Sequence, residues 1–218
     1  MRQSKEGLLV CLRAVLPRID SCAEAAIPLA KGKPNWECSS LGGDAGNPYN
    51  FGMPANDRLL FVLTLLAALG SGLIAGVFYA FSTFVMRALA RLPVEQGIAA
   101  MQSINVAVIN PMFLGVFLGT ALVCIGTAIG AFMRWDRPGA VYLLSGSIFY
   151  FVGTFLVTMI FNVPLNNALA AISPTDPETA RHWAGYVSRW TAWNHVRTAA
   201  ALLAMLAFIL MLRKWADV

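Results

Sequence analysis

Charged residues leave four gaps along this chain: none falls between Leu59 and Met86, between Gln96 and Met133, between Pro138 and Thr175, or between Thr198 and Leu212. A helix that crosses the hydrocarbon core of a bilayer needs roughly 20 mainly apolar residues. The first three gaps suffice, and the fourth must borrow from the residues before it. The pattern predicts an all-α fold, a bundle of four transmembrane helices over about 59–86, 111–133, 139–163 and 193–214. Only "RWDRP" separates the second span from the third, so these two form a tight antiparallel hairpin. The other two connections are long and lie on one side of the membrane. Each carries a stretch that reads as an amphipathic helix, "PVEQGIAAMQSINVAVI" after the first span and "DPETARHWAGYVSRWTAW" after the third. In the second of these, Asp176 can cap the helix, with Pro177 tolerated at its first position and Glu178 favourable in its first turn.

Residues 1–52 differ in kind from residues 53–218, with mixed charge, scattered prolines and the run "SSLGGDAGNPYNFG". We expect this tail to be poorly ordered, and Met53, one polar turn before the first span, to be the true start. The apolar "GLLVCLRAVL" is broken by Arg13 and is too short for a convincing signal-peptide core. With 58% hydrophobic and 12% charged residues, the composition is that of an integral membrane protein whose first partner is the lipid bilayer.

The net charge of +5 does not point to nucleic acid here, because the basic residues flank the spans: Arg58, Arg87, Arg134, Arg137, Arg197, Arg213 and Lys214. They read as topology determinants and snorkelling anchors, and their counts favour cytoplasmic termini against the opposing Arg87, Arg91, Arg181 and Arg189. Cys11, Cys22 and Cys38 lie in the tail and Cys124 inside the second span, with no CxxC pair to suggest zinc or thiol redox chemistry. Gly72 and Gly76, Gly115 and Gly119, and Gly126 and Gly130 are small residues four apart, a spacing that lets helices approach closely in lipid. A faint internal repeat sets "FSTFVMRALARLP" at 81–93 beside "FNVPLNNALAAISP" at 161–174, suggesting two related hairpins.

Polar groups concentrate at the long-loop side. Pro164 cannot donate an N–H and disfavours helix at Val163, so the third span should end or kink there and leave the Ile160 carbonyl without its usual partner. Asn162 and Asn166, four apart, share a face if the turn continues. The fourth span needs residues from Trp193 onward, which draws Asn194, His195 and Arg197 into the membrane edge. At about 100° per residue, Trp190, Trp193, Asn194 and Arg197 occupy one narrow arc. His195 shares another with Thr191 and Thr198. Tyr79, Ser82 and Thr83 of the first span lie at the same depth and can complete a polar, aromatic pocket open toward the long loops. Each group also has a plain structural reading: asparagines that cap a helix end, tryptophans that anchor the interface, an arginine that snorkels, a histidine satisfied where it stands.

Several chemistries find no support. The spans hold no carboxylate of the kind that lines proton or cation pathways. Two histidines without an acidic cluster make a poor metal centre, and a haem held by His182 and His195 has nothing else to recommend it. Neither a phosphate loop nor a Ser/His/Asp arrangement is present.

Taken together, "GLIAGVFYAFSTFVMRALARLP", "QGIAAMQSINVAVINPMF", "FNVPLNNALA" and "RWTAWNHVRT" resemble the anthrone oxygenase-like family, small four-helix membrane proteins that are mostly bacterial, over about residues 59–213. The resemblance implies an inner-membrane protein, with oxidation of a hydrophobic anthrone-like or phenolic substrate by O2 without metal or flavin. It points to the matched motif positions Asn162, Asn166, Trp193, Asn194, His195 and Arg197. With the placement of polar groups above, His195, Arg197 and Asn194 are the candidates for catalysis, and Asn162, Asn166, Trp193, Trp190, Tyr79 and Ser82 for substrate binding. An imidazole can take an acidic C–H proton near neutrality while Arg197, Asn194 or Asn162 holds the resulting oxyanion. The rival expectation is a non-catalytic bundle that binds a quinone or lipid or serves as an assembly partner, its polar cluster acting as glue. An enclosed pocket lined by His195 and the asparagines would favour the enzyme.

Overall fold

A computed structural model describes residues 55–172 and 178–216; the N-terminal tail, the proposed start at Met53 and the Asp176–Pro177 cap lie outside the described residues. Four helices are long and apolar enough to cross a membrane: α1 (Ala55–Leu89), α3 (Pro111–Met133), α4 (Ala140–Ala170) and α5 (Thr179–Ala216). The short helix α2 (Val94–Ala107) follows α1 on the long-loop side. Among the described residues there is no strand. The protein is a four-helix membrane bundle.

Around the bundle α1 packs on α3, α3 on α4, α4 on α5, and α5 back on α1. The central core joins Ala67, Ile74 and Phe78 of α1, Phe117 and Cys124 of α3, Tyr150 of α4, and Ala204 and Phe208 of α5. Several polar side chains in this core find partners, since a lone hydroxyl in hydrocarbon is costly, although buried Ser71 Oγ has none among the described residues. Tyr150 donates to the Phe117 carbonyl at 3.1 Å, and the Thr127 and Ser147 hydroxyls meet at 2.8 Å.

At the short-loop end, Asp57 pairs with Arg134 at 2.7 Å, tying the start of α1 to the α3–α4 turn. Gly139 opens α4 with φ +105°, a left-handed turn that a side chain rarely adopts.

Of the small-residue pairs, Gly126 and Gly130 face Leu63 and Leu60, and Gly72 faces Met205. Gly76, Gly115 and Gly119 instead have open space beside them, so among the described residues no side chain or helix packs against those three. Close approaches that sequence spacing missed include Gly70 against Thr120, Gly97 against Trp183, Gly146, where a Cβ would fall 2.8 Å from the Phe208 ring, and Gly153, where it would meet Ala200 at 2.6 Å.

Two expectations about the long-loop side are corrected. The third span does not stop at Pro164: α4 runs on to Ala170, because a π-turn over Thr158–Asn162 precedes the proline and leaves it in the first turn of a new α segment, where its missing N–H has no partner to lose. The predicted loop helix before the fourth span is not separate either; it is the first four turns or so of α5. The reason is tertiary. Trp183, Tyr186 and Trp190 of this extension are buried against Met86 and Leu89 of α1, Ile98 and Met101 of α2, and Leu169 of α4, forming a second core outside the hydrophobic spans.

Candidate functional site

The site begins with a departure from regular helix. A π-turn occupies Phe81–Val85 in α1, and two occupy Phe151–Leu156 and Thr158–Asn162 in α4. Such turns make up well under 1% of residues in ordinary proteins and recur at functional sites. Both α1 and α4 carry one beside the segments that resemble each other in sequence, and the aligned residues Ser82 and Asn162 each lie inside one and are each buried. A shift of the hydrogen-bond ladder from i−4 to i−5 leaves a carbonyl free at the turn. The Phe78 carbonyl, just before the α1 turn, accepts the Asn194 amide at 2.7 Å.

The second effect of the turns is alignment. Thr154, Thr158, Asn162 and Asn166 are four residues apart, and in a regular α-helix each such step overshoots a full turn by about 40°. The wider π-turns rotate that drift back. Thr154, Asn162 and Asn166 consequently meet α5, where Thr154 donates to the Arg197 carbonyl at 3.4 Å, Asn162 to the Trp190 carbonyl at 3.3 Å, and Asn166 accepts both the Trp190 indole N–H at 2.8 Å and the Tyr186 hydroxyl at 3.0 Å.

Arg197 lies at the middle of this cluster with 3% of its surface exposed. Nη2 donates to Asn194 Oδ1 at 2.7 Å and Nη1 to Thr158 Oγ1 at 3.3 Å. The guanidinium lies over the Phe78 ring at 4.2 Å and the Trp190 ring at 5.0 Å. Nε has no partner among the described residues, nor does Asn162 Oδ1. Among the described residues no carboxylate pairs with this cation, whose charge is therefore balanced only by amide, hydroxyl and aromatic faces.

Asn194 passes that charge onward. Its Oδ1 accepts from Arg197, and its Nδ2 donates to Ser82 Oγ at 2.7 Å as well as to Phe78. Thr198 spends its proton on the Asn194 carbonyl at 2.8 Å, so in the 3.0 Å contact between Ser82 and Thr198 it is Ser82 that donates. The Ser82 proton is the one in this chain of bonds that can be re-aimed without breaking a bond to backbone.

Ser82 is also the floor of a groove of about 340 Å³, open at the side of the bundle between the end of α1 and the first half of α5. Met86, Arg87 and Ala90 form one wall; Val187, Thr191, Ala192 and His195 form the other. The Thr191 hydroxyl is buried at this wall and without a partner among the described residues.

The structure thus sorts the residues singled out from sequence. It brings together Arg197, Asn194, Ser82, Asn162, Asn166 and Trp190. It does not bring His195 among them: the imidazole is exposed at the groove, because two residues along a helix is about 200° of rotation from Arg197. Tyr79 is 57% exposed on the outer face of α1. Trp193 leaves the cluster to stack on Phe161 at 3.6 Å, while Trp190 is buried rather than an interfacial anchor. His182 and His195 are 13 residues apart on the same helix, roughly 20 Å along its axis, which rules out a shared haem iron. Among the described residues no three His, Cys, Asp or Glu side chains gather as a metal site would require. Sequence reasoning missed Thr154 and Thr158, whose signal was the four-residue polar ladder ending in Asn162 and Asn166, and it missed Arg87 as a groove residue.

Residues 110–207, which hold α3, α4 and most of α5, match the family model described as anthrone oxygenase. Over that region, a little under half of the chain, the sequence is similar to the anthrone oxygenase family. The matched region contains Asn162, Asn166, Trp190, Asn194, His195 and Arg197, whereas Ser82 and Arg87 come from α1 outside it. Neither a curated protein nor a solved structure matches the chain.

Proposed function

We propose that this protein is a membrane oxygenase that acts, without a bound cofactor, on an anthrone-like or other phenolic C–H acid. The observation that carries the reading is Arg197: a buried cation with no carboxylate partner among the described residues, wired through Asn194 to a serine hydroxyl on the floor of an open groove. A cation in that position favours negative charge on whatever the serine touches. Because Ser82 is buried within the span, the stabilisation is larger than in solution.

In this reading the substrate lies in the groove with its carbonyl oxygen toward Ser82. His195, on the groove wall, takes the acidic C–H proton, and the electron pair moves onto the oxygen as an enolate. Ser82 turns its proton from Thr198 to that oxygen, backed by Asn194 and Arg197. The enolate carbon then reduces O2 and bonds to it, and the peroxide takes a proton. Loss of water, with the second C–H hydrogen leaving, gives the new carbonyl. One O2 is consumed; one oxygen atom ends in product and one in water, and the CH2 carbon loses the four electrons that O2 gains.

The rival reading, a packing cluster in a non-catalytic quinone- or lipid-binding bundle, draws on the mutual satisfaction of Asn166, Trp190 and Tyr186. It also draws on the groove being open and lined by His195 but by none of the asparagines, unlike the enclosed pocket expected of an enzyme. Oxygen uptake separates the two. Purified protein in detergent, given a panel of anthrones and hydroquinones, should consume one O2 per quinone formed and place label from 18O2 in the new carbonyl. Uptake no faster than in buffer across the panel would reject the enzyme. We further place the end bearing Arg58, Arg134, Arg137, Arg213 and Lys214 on the cytoplasmic side of a bacterial inner membrane, following the excess of basic residues there.

A further inference from the structure

We infer that the groove takes an aromatic acid, and that Arg87 pairs with the carboxylate of that ligand and thereby sets which substrates are preferred. The inference rests on the groove being the substrate site and adds the chemical class the site selects. Three observations support it. First, Arg87 lines the groove, is exposed, and has no carboxylate partner among the described residues. Second, the groove between it and Ser82 is walled mainly by Met86, Ala90, Val187 and Ala192, apolar side chains that suit an aromatic ring and offer no competing charge. Third, Arg87 lies five residues beyond Ser82 on α1, roughly 7 Å further along the axis toward the long-loop end. A fused aromatic ring system spans that distance with a ketone at one end and an acid at the other.

The depth of the groove fits the same ligand. Arg87 ends the apolar part of α1, where a guanidinium reaches the headgroup level by snorkelling, whereas Ser82 lies inside the span. A ligand entering from the bilayer would keep its charged end at the interface and slide its rings inward, which is how an amphipathic aromatic acid already lies in a membrane. An anionic phospholipid offers charge at the same level, but its flexible chains do not place an acidic C–H beside His195 and Ser82.

The test uses the full chain in phosphatidylcholine nanodiscs and a fluorescent probe that lacks an acidic C–H, so that binding is read apart from turnover. Anthracene carboxylate and its methyl ester are titrated by fluorescence anisotropy, with empty discs as background. The wild-type protein should bind the carboxylate about fivefold more tightly than the ester, the scale of one partly exposed ion pair. Arg87→Gln should bring that ratio to about one with ester affinity unchanged, and Arg87→Lys should keep part of the preference. A preference that survives Arg87→Gln, or an equal loss for both ligands, would overturn the inference. So would displacement of the carboxylate by phosphatidylglycerol added to the discs, since the occupant would then be a lipid headgroup. Oxygen uptake by the wild-type protein keeps the two readings apart. Preference without uptake would remove the oxygenase and leave the acid-binding groove; uptake without preference would do the reverse.

Discussion

Nη2 of Arg197 donates to Oδ1 of Asn194 at 2.7 Å, one turn back along the same helix, and both residues are buried. The bond orients the Asn194 amide so that its N–H groups point at Phe78 and Ser82. Arg197→Met keeps the volume and the packing against Phe78 and Trp190 while removing the charge. Two stability terms then oppose each other. Loss of a buried, unpaired cation is favourable, and an orphaned Asn194 Oδ1 costs about 1–3 kcal/mol. We expect a folded protein whose thermal midpoint in detergent moves by a few degrees in either direction, and whose O2 uptake falls by about 100-fold or more. Unchanged uptake would mean that the cation serves packing alone.

Ser82 supplies the only hydroxyl that belongs to both the cluster and the groove among the described residues. Ser82→Ala removes the donor that meets the substrate oxygen, and by analogy with other oxyanion donors kcat should fall by about 10²–10³. Ser82→Thr, which retains the hydroxyl, should recover most of it. Comparing kcat with KM decides the role: a donor used in the transition state changes kcat, whereas a mere binding contact changes KM.

His195 is exposed, and among the described residues no hydrogen bond or ion pair holds it. His195→Gln should therefore leave the thermal midpoint where it is while lowering turnover by about 10²–10⁴, the contribution of a positioned general base. A deuterium isotope effect on the C–H bond of the substrate should grow in this variant as proton removal becomes the slow step. Full turnover by the variant would remove histidine as the base.

The helical bundle was legible because the bilayer imposes a simple rule on charge. The second predicted span, 111–133, coincides with α3. The others fell short at the long-loop side: α1 reaches Leu89, α4 reaches Ala170, and α5 begins at Thr179. Hydropathy reports only the part of a helix that must face lipid, and the rest is held by contacts such as Trp183 and Tyr186 against Ile98 and Met101, which no local pattern encodes. Angular reasoning separated His195 from Arg197 correctly, but it could not say which face was inward. That depended on Phe78 and Ser82 lying opposite Asn194. The π-turns were not legible at all, because they hold where neighbouring side chains capture the carbonyls they free.

Asn166 provides the sharpest distinction between architecture and chemistry. Its Oδ1 accepts from Trp190 Nε1 and Tyr186 Oη, fixing the extended part of α5 against α4, yet it does not line the groove. Asn166→Leu leaves two donors without an acceptor. In water-soluble proteins each would cost about 1–3 kcal/mol, but side-chain hydrogen bonds in membrane bundles average less, because the unfolded segment in the bilayer also finds partners. We expect a net loss of about 1–3 kcal/mol, seen as an earlier thermal transition and as faster proteolysis of the folded protein. At temperatures below that transition, kcat with an anthrone should stay within about threefold of wild type, since Asn166 does not line the groove that Ser82 and His195 share. A hundredfold loss of kcat in a protein that remains folded would place Asn166 in the reaction itself and shift the candidate site from the groove to the α4–α5 interface.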